Sequence, residues 1–218
     1  MDAVSIIALS MGAAWASGIN LYATLFMLGY MGSTGNMTLP AELEMLTDPM
    51  VMTAAGFMYC VEFFADKIPG VDSGWDTIHT FIRIPAGAML ASSAIGDVGP
   101  AMELTTALLG GTLAAGTHTT KAGTRLLINT SPEPVTNWTA SITEDLLVIG
   151  GLWAALNHPV LFVIGLIVFI IAMIWLLPRL WRLIKHIFRR IGSWLGLCEP
   201  PEPIKQSSQA AAINQESS

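Results

Sequence analysis

The chain contains 218 residues, of which 53% are hydrophobic and only 12% are charged, and its formal net charge is -6. Soluble domains carry about 25% charged residues, so this composition argues against an ordinary soluble domain and favours a membrane protein. The acidic residues lie in loops and in the C-terminal tail, and half of the basic residues follow a single apolar run. No basic surface for nucleic acid is therefore expected.

The first predicted span covers residues 3–31, and its middle is unusual. Gly18 weakens the helix there, and Asn20 places a polar amide near the centre of the bilayer. A polar group in lipid is costly unless it is hydrogen-bonded, so Asn20 is expected to face protein or water. The loop that follows, residues 33–48, contains three acidic residues and no Lys or Arg, which suits the outside of the cell.

The second predicted span, residues 49–65, carries Glu62 in its last turn and is closed by Asp66 and Lys67. A short helix is predicted next, over residues 73–83. Its polar face carries four residues at i, i+3, i+4 and i+7: Asp76, His79, Thr80 and Arg83. The opposite face is apolar, a pattern typical of a helix that lies at the membrane interface. Residues 85–95 are apolar but reach only about half of a membrane thickness at about 1.5 Å per residue.

The second half of the chain begins with a predicted helix over residues 101–127. His118, Lys121 and Arg125 share one face of it, because they are spaced i, i+3 and i+7. After a loop, residues 129–138, Ser141 and Glu144 have the spacing of a capping box for a helix over residues 144–157, which also carries Asp145.

The last predicted span covers residues 160–177 and ends at Pro178. A basic amphipathic helix, residues 179–197, is predicted to lie on the cytoplasmic face, and the tail, residues 198–218, is predicted to be disordered. The polytopic membrane domain therefore comprises residues 1–197.

The positions of Lys and Arg predict the topology. Five basic residues follow the last span and indicate that the C-terminus is cytoplasmic. If residues 85–95 cross or nearly cross the membrane, the chain has about six membrane helices or half-helices, both termini are inside, and Lys67, Arg83, Lys121 and Arg125 all fall inside. If they do not cross, the acidic loop is forced inside and Lys67 outside. The six-span arrangement fits the positive-inside rule without exception.

A weak internal repeat favours the same arrangement. Residues 12–20 resemble residues 110–118, and residues 56–62 resemble residues 151–157. The two halves, about 1–100 and 101–178, would each contain three spans, with the second inverted relative to the first. Inverted repeats with interrupted helices are typical of transporters. We therefore expect a second helix break at Gly116, with Asn20 and His118 facing one cavity; the alternative is that these glycines only allow close helix packing.

The region from Glu62 to Gly87 resembles a known family. The run Glu62, Ala-Asp-Lys-Ile-Pro-Gly-Val-Asp-Ser and Pro85-Ala-Gly87 is similar to the central signature of bacterial membrane proteins catalogued as domain of unknown function 4126. Other parts match as well: Gly18, His118 with Lys121 and Arg125, and Ser141 with Glu144 and Asp145. The resemblance covers about residues 12–190 and departs at residues 19–22, where the family often has an Arg and an aromatic residue. It implies the fold and the membrane location, and it implies no activity.

The candidate substrate-binding residues are polar groups that the predicted topology brings towards one site. They are Asn20, Glu62, Asp66, Asp76, His79, Arg83, His118, Lys121, Arg125, Glu144 and Asp145. Ionisable residues within a membrane are costly, seek partners and are functional candidates by default. We expect Glu62 or Asp66 to contact one of the basic residues of the helix over residues 101–127.

Three other interpretations of these residues remain open. The acids and Lys67 could simply anchor the ends of spans, and Asp76 could pair with Arg83 through His79. A divalent metal could bind a set of carboxylates and one imidazole, namely Glu62, Asp66, Asp72 and His79. No compact ligand motif supports a metal site, and no cofactor is expected.

The sequence predicts a protein that is not an enzyme, since it contains no catalytic triad, phosphate loop or nucleotide motif. The leading hypothesis is a small transporter or permease-like protein that moves an unknown solute or ion by proton-coupled exchange through Glu62 and His118. The alternatives are a flippase for an anionic lipid, with Lys121 and Arg125 binding phosphate head groups, and a membrane scaffold that transports nothing. Membrane lipids are expected partners, and the sequence is compatible with a homo-oligomer. The expected location is the bacterial inner (plasma) membrane, which the chain crosses several times with both termini in the cytoplasm.

Overall fold

A computed structural model describes residues 2–68, 70–129 and 134–194, apart from the side chains of residues 134, 188 and 190–194. All regular structure in these segments is helical, which confirms the predicted all-α class. The helices are α1 (Ala3–Ile19), α2 (Leu21–Ser33), α3 (Pro49–Ala65), α4 (Val71–Ala94), α5 (Pro100–Ile128), α6 (Pro134–Asn157) and α7 (Pro159–Trp194), with a 3₁₀ helix (Ala41–Thr47) between α2 and α3. The chain forms two compact units, which divide between Leu177 and Pro178.

The predicted interruption of the first span is confirmed at Asn20. This residue has extended backbone angles, φ -146° and ψ 102°, between α1 and α2. Its side-chain oxygen accepts a hydrogen bond of 3.0 Å from the backbone N–H of Ala23, and Asn is a favoured residue at a helix N-cap. The same side chain that makes this position polar therefore starts the second helical segment.

The third helix has the predicted bounds. Asp48 caps it by accepting a hydrogen bond of 2.7 Å from the N–H of Met50. Pro49 occupies the first helical position, where its missing N–H costs nothing because that group has no partner within a helix.

The fourth helix differs from the prediction in length. α4 is one continuous helix of 24 residues with Pro85 inside it, rather than a helix over residues 73–83 followed by a separate apolar segment. At about 1.5 Å per residue it is about 36 Å long, which exceeds the hydrocarbon thickness of a bilayer. Proline removes one backbone hydrogen bond but does not have to end a helix that is held by packing on both sides.

The polar face of α4 is buried within the protein, so the predicted interfacial orientation is wrong. Asp76 and Arg83 are 2% and 0% exposed, whereas the apolar residues Ile78 and Phe81 are 64% and 81% exposed. The polar face finds charged partners on neighbouring helices and does not need lipid head groups or water.

The fifth helix is continuous from Pro100 to Ile128, so the predicted break at Gly116 is wrong. A Cβ atom at Gly116 would lie 2.8 Å from the sulfur of Met173, which shows that this glycine allows close packing against α7. Glycine weakens a helix by about 1 kcal/mol, and the packing of α5 along its whole length is enough to hold the helical geometry.

The sixth helix begins ten residues earlier than predicted. It starts at Pro134, inside the segment expected to be a loop, and Ser141 therefore lies in the helix and does not cap it with Glu144. Proline is favoured at the first turn of a helix as well as in loops, and here it starts one.

The seventh helix continues through Pro178 to Trp194, so the predicted helix end at Pro178 is wrong. Pro178 is nevertheless the first residue of the second compact unit. The expected surface position of residues 179–197 stays a prediction, and the tail predicted to be disordered lies outside the described residues.

Small residues bring α1, α4 and α5 into close contact. A Cβ atom at Gly18 of α1 would lie 2.7 Å from the carbonyl oxygen of Ala114 and 2.8 Å from the Cβ of Thr117, both on α5. Gly87 of α4 allows a similar approach to Ala114. Small residues at helix interfaces let backbones approach closely, which is characteristic of membrane helices.

Two of the described helical segments, Val135–Asn157 and Pro159–Ile187, are long and apolar enough to cross a membrane. In addition, α4 and α5 place charged side chains inside and large apolar ones, such as Leu104 and Leu108, on the exposed surface. Soluble proteins show the opposite distribution, since their charged residues are mostly exposed.

Candidate functional site

A buried network of ion pairs connects four parts of the fold. Its acids and bases come from α3 and the turn after it, from α4, from α5 and from α6: Glu62, Asp66, Asp76, Arg83, Lys121, Arg125 and Glu144. Except for Glu144, which is 17% exposed, these side chains are at most 4% exposed. Charges at such depth are stable only when they are paired and hydrogen-bonded.

Lys121 is the centre of the network. Its ammonium nitrogen lies near one oxygen of each of four carboxylates: Asp66 Oδ2 (3.0 Å), Glu144 Oε2 (3.4 Å), Glu62 Oε1 (3.5 Å) and Asp76 Oδ1 (3.8 Å). It also donates a hydrogen bond of 3.1 Å to the carbonyl oxygen of Ile19. The predicted contact between Glu62 or Asp66 and a basic residue of α5 is therefore confirmed.

Arg83 connects the network to the end of α1. Its guanidinium pairs with Glu62 and donates to the carbonyl oxygens of Ile19 (2.9 Å) and Gly18 (3.3 Å). The last carbonyls of a helix have no partner within that helix, so Arg83 satisfies groups that the break at Asn20 leaves free. Asp76 Oδ1 lies 3.5 Å from the same guanidinium, so these two residues pair directly and not through His79.

Arg125 holds α6 against the turn after α3. Its Nε and Nη2 donate to the two oxygens of Glu144 at 3.1 Å and 2.8 Å, the bidentate geometry that guanidinium groups favour. Its Nη1 donates to the carbonyl oxygens of Asp66 (3.0 Å) and Asn137 (3.2 Å).

The hydrogen-bond partners of His118 favour a neutral imidazole. Arg83 Nη1 lies 3.2 Å from His118 Nδ1, and because a guanidinium can only donate, a hydrogen bond between these two atoms requires a ring whose Nδ1 accepts. The hydrogen is then on Nε2, which lies 3.0 Å from the carbonyl oxygen of Asp76 and 2.8 Å from the hydroxyl of Thr80. This arrangement describes a neutral imidazole.

His79 makes a different set of contacts. Its Nδ1 donates to the carbonyl oxygen of Trp75 at 2.9 Å, and its Nε2 lies 3.1 Å from the hydroxyl of Tyr22 on α2. The imidazole stacks on the Trp75 ring with a centroid distance of 4.3 Å. His79 therefore borders the network without pairing with any of its acids.

Asn20 faces Asp145, and the expectation that it faces a cavity opposite His118 is wrong. The Asn20 amide nitrogen donates a hydrogen bond of 3.1 Å to Asp145 Oδ1 on α6. The Asn20 residue is only 1% exposed, which leaves no room for water beside its side chain. The break in the first helix is thus sealed by protein in this conformation.

The proposed metal ligands do not come together. Asp72 accepts hydrogen bonds of 2.9 Å from the Asn129 amide and 3.0 Å from the N–H of Gly70, at one end of the site. Within residues 2–68, 70–129 and 134–194, no three side chains of His, Cys, Asp or Glu are grouped so that they could hold a metal ion.

Lys67 lies beside the network in the turn after α3. Its ammonium donates to the carbonyl oxygen of Phe63 at 3.0 Å and to the hydroxyl of Ser141 at 3.3 Å. Burial lowers the pKa of Lys67 below its ordinary value, because the charged form is removed from water.

Sequence reasoning missed three polar residues that extend the site. Tyr22 contacts His79, and Asn137 accepts from Arg125 at 3.3 Å and donates to Asn129 at 2.9 Å. A signal for Asn137 existed: with a helix that begins at Pro134, residues 137, 141 and 144 fall on one face at i, i+4 and i+7.

The fold and the network define an all-helical protein that has candidate membrane-spanning helices and a buried cluster of acids and bases. The family described as Domain of unknown function (DUF4126) matches residues 7–179, and the chain belongs to this family. The resemblance stated from the region between Glu62 and Gly87 is thereby confirmed. No match was found among curated proteins or among solved structures.

Proposed function

We propose that the protein is a small permease-like membrane transporter that moves a small solute or ion. The observation that carries this proposal is the buried network around Lys121, which includes four acids. Ionisable groups at membrane depth are costly and are retained mainly on substrate, ion or proton pathways. An interrupted helix lies next to the network, and its free carbonyls contact Arg83 and Lys121, as at the ion sites of many transporters.

The proposal includes a topology of six spans in the plasma membrane with both termini in the cytoplasm. The spans are α1 with α2, α3, α4, α5, α6 and the part of α7 before Pro178. The exposed apolar surfaces of α4 and α5 support it, and so does the positive-inside rule. This division places three spans in each half, and the similarity of residues 12–20 to residues 110–118 supports an inverted repeat. The continuous α5 weakens that similarity, because only the first half contains a break.

Reporter fusions test the topology. A reporter placed after Thr47 is expected to be active only outside the cytoplasm, and a reporter placed after Gln206 only inside it. The reason is that this arrangement keeps Lys67 and the basic residues after α7 on the inner side, whereas Arg83 lies within the span α4. The measurement is the ratio of a periplasmic to a cytoplasmic reporter activity at each position. A cytoplasmic signal after Thr47 would contradict the six-span model.

Transport is tested in liposomes that contain the purified full chain. A broad panel of ions and metabolites is tested, one at a time, as a concentration gradient across the liposome membrane. We expect the transported solute to drive a proton flux, which is measured with a pH-sensitive dye inside the liposomes. Asn20→Leu removes the bond to Asp145 and the cap of α2, and we expect about a tenfold slower flux, equivalent to about 1.4 kcal/mol in the barrier. Asn36→Leu, at an exposed loop position, is the matched control and is expected to behave as the unmodified protein.

The same experiment separates the two alternatives. The flippase hypothesis needs Lys121 and Arg125 to bind phosphate, yet both are already paired with carboxylates, so a lipid would have to displace these partners. Movement of a labelled anionic lipid without any solute flux would nevertheless favour it. If the unmodified protein moves neither solutes nor lipids, the scaffold hypothesis replaces the transporter.

A further inference from the structure

The buried network contains one more acid than it has bases. Ion pairs of 3.8 Å or less join four carboxylates, of Glu62, Asp66, Asp76 and Glu144, to three cations, of Arg83, Lys121 and Arg125. Lys67 and Asp145 border the network and add one charge of each sign, so they leave the difference unchanged. Apart from Glu144, which is 17% exposed, these groups are shielded from water, and an uncompensated negative charge is strongly disfavoured there.

The histidines do not supply the missing positive charge. His118 Nδ1 lies 3.2 Å from Arg83 Nη1, so a hydrogen added to Nδ1 to charge the ring would point at a guanidinium that can only donate. His79 is directed to Trp75 and Tyr22 and pairs with no acid of the network. The histidines therefore leave the network with four acids and three bases in this geometry.

Three of the acids also have an oxygen atom that is buried and accepts no hydrogen bond within the described residues. These atoms are Glu62 Oε2, Asp66 Oδ1 and Asp76 Oδ2, and each belongs to a residue that is at most 3% exposed. A buried carboxylate oxygen without a donor is costly, and protonation removes that cost. The other oxygen of each of these acids contacts Lys121, so the three carboxylates surround one ammonium group.

We propose that this network binds one exchangeable proton, shared among Glu62, Asp66 and Asp76 around the ammonium of Lys121. Binding forms one O–H bond at a carboxylate oxygen and breaks one O–H bond of a hydronium ion, which leaves as water, and the charge of the network changes from one net negative to neutral. The three carboxylates contact one ammonium group, so the proton belongs to the cluster and not to one member.

This proton is the coupling ion of the transporter, a statement that rests on the proposed function. Proton binding itself does not rest on it. A divalent metal ion does not fit the same position, because the centre of the three carboxylates is already occupied by a positive charge.

The groups that face the three acids come from every neighbouring element. They are Tyr22 on α2, Tyr59 on α3, Lys67 in the turn after α3, His79 and Arg83 on α4, His118, Lys121 and Arg125 on α5, and Glu144 and Asp145 on α6. Arg83, Lys121 and Arg125 cannot compensate a fourth carboxylate, because each already pairs with two or more acids of the network. Lys67 donates to Phe63 and Ser141 and lies near Asp145, which takes up its charge.

The first test is the pH dependence of unfolding of the full chain in detergent. If the folded protein holds one proton that the unfolded chain releases, the unfolding equilibrium constant rises by up to tenfold per pH unit as the pH increases through the neutral range. Glu62→Gln equalises acids and bases, so we expect this slope to disappear. Glu103→Gln, which changes an exposed acid in the first turn of α5, is the matched control and should keep the slope of the unmodified protein.

Infrared spectroscopy gives a second readout. At neutral pH the folded protein should show the C=O band of a protonated carboxylic acid, shifted in deuterated water, and this band should be absent from Glu62→Gln. Asp76→Asn also removes one negative charge from the network, at another position. It replaces Glu62→Gln in both experiments if Glu62→Gln does not fold, with the same expected result. The inference is overturned if the spectrum of the unmodified protein lacks the C=O band of a protonated acid. It is also overturned if the unfolding equilibrium constant depends on pH with the same slope in all variants. A band together with no flux in liposomes leaves the proton site in place and overturns the transporter instead.

Discussion

Lys121→Met is expected to destabilise the folded protein by about 3–5 kcal/mol, because removing one partner leaves buried charges without compensation. Met preserves most of the volume of the side chain and removes only the charge and its hydrogen bonds. Four carboxylates would then share two guanidinium groups, and the carbonyl of Ile19 would lose its donor. The measurement is the midpoint of unfolding of the purified protein in detergent at neutral pH.

Two further variants show whether charge causes this effect. Lys185→Met replaces an exposed lysine of α7 and is expected to change stability by less than about 0.5 kcal/mol, as substitutions at exposed positions usually do. Adding Asp66→Asn to Lys121→Met restores the difference of one acid, so the double variant should be more stable than Lys121→Met alone. Equal stability of Lys121→Met and the unmodified protein would show that the network does not hold the helices together.

Gly18→Ala is expected to destabilise the protein by about 1–3 kcal/mol, the usual cost of adding a group to a packed core. The new methyl group would lie 2.7 Å from the carbonyl oxygen of Ala114, a backbone atom that cannot rotate away. Helices α1 and α5 must therefore separate. The carbonyl of Gly18 also accepts from Arg83, so the separation weakens the network as well.

Gly150→Ala is the matched control for this substitution. It makes the same chemical change in the interior of α6, where no heavy atom beyond the adjoining backbone of α6 and the two neighbouring residues lies within 4 Å of the new methyl group. Alanine is favoured over glycine in a helix by up to about 1 kcal/mol, so this variant should be as stable as the unmodified protein or slightly more so. Unfolding midpoints that fall equally in both variants would rule out close packing at Gly18 as the cause.

The break at Asn20 and the network form one structural unit. Asn20 ends α1, and the carbonyls left free at that end accept from Arg83 and Lys121, whose charges are in turn paired with Glu62. Any change in the protonation of the acids therefore changes how firmly the end of α1 is held. This connection is the physical basis on which a proton could alter the conformation of the interrupted helix.

Several features followed from the amino-acid sequence alone. The apolar composition and its interruptions predicted an all-helical chain, and Gly18 with Asn20 predicted the break in the first helix. The spacing of His118, Lys121 and Arg125 placed these residues on one face, and the cost of burying charge predicted their contact with Glu62 or Asp66. These inferences succeed because they depend on local propensity and on the strong requirement that buried charges be paired.

Only the tertiary structure decided where helices continue and which polar groups meet. Pro85 and Pro178 lie inside helices, and Pro134 begins one. Around Pro85, packing of α4 against α1 and α5 compensates for the hydrogen bond that the proline removes, whereas a proline at the first position of a helix removes none. Gly116 stays helical within the continuous α5, and Met173 packs against it.

The choice of partners was likewise beyond the sequence. Asn20 pairs with Asp145, which is 125 positions away in the chain, and Arg83 fixes the tautomer of His118. A sequence shows that a polar group needs a partner, but the partner depends on which helices pack together. Here small residues such as Gly18 and Gly87 let α1, α4 and α5 approach closely enough to bring the acids and bases into one network.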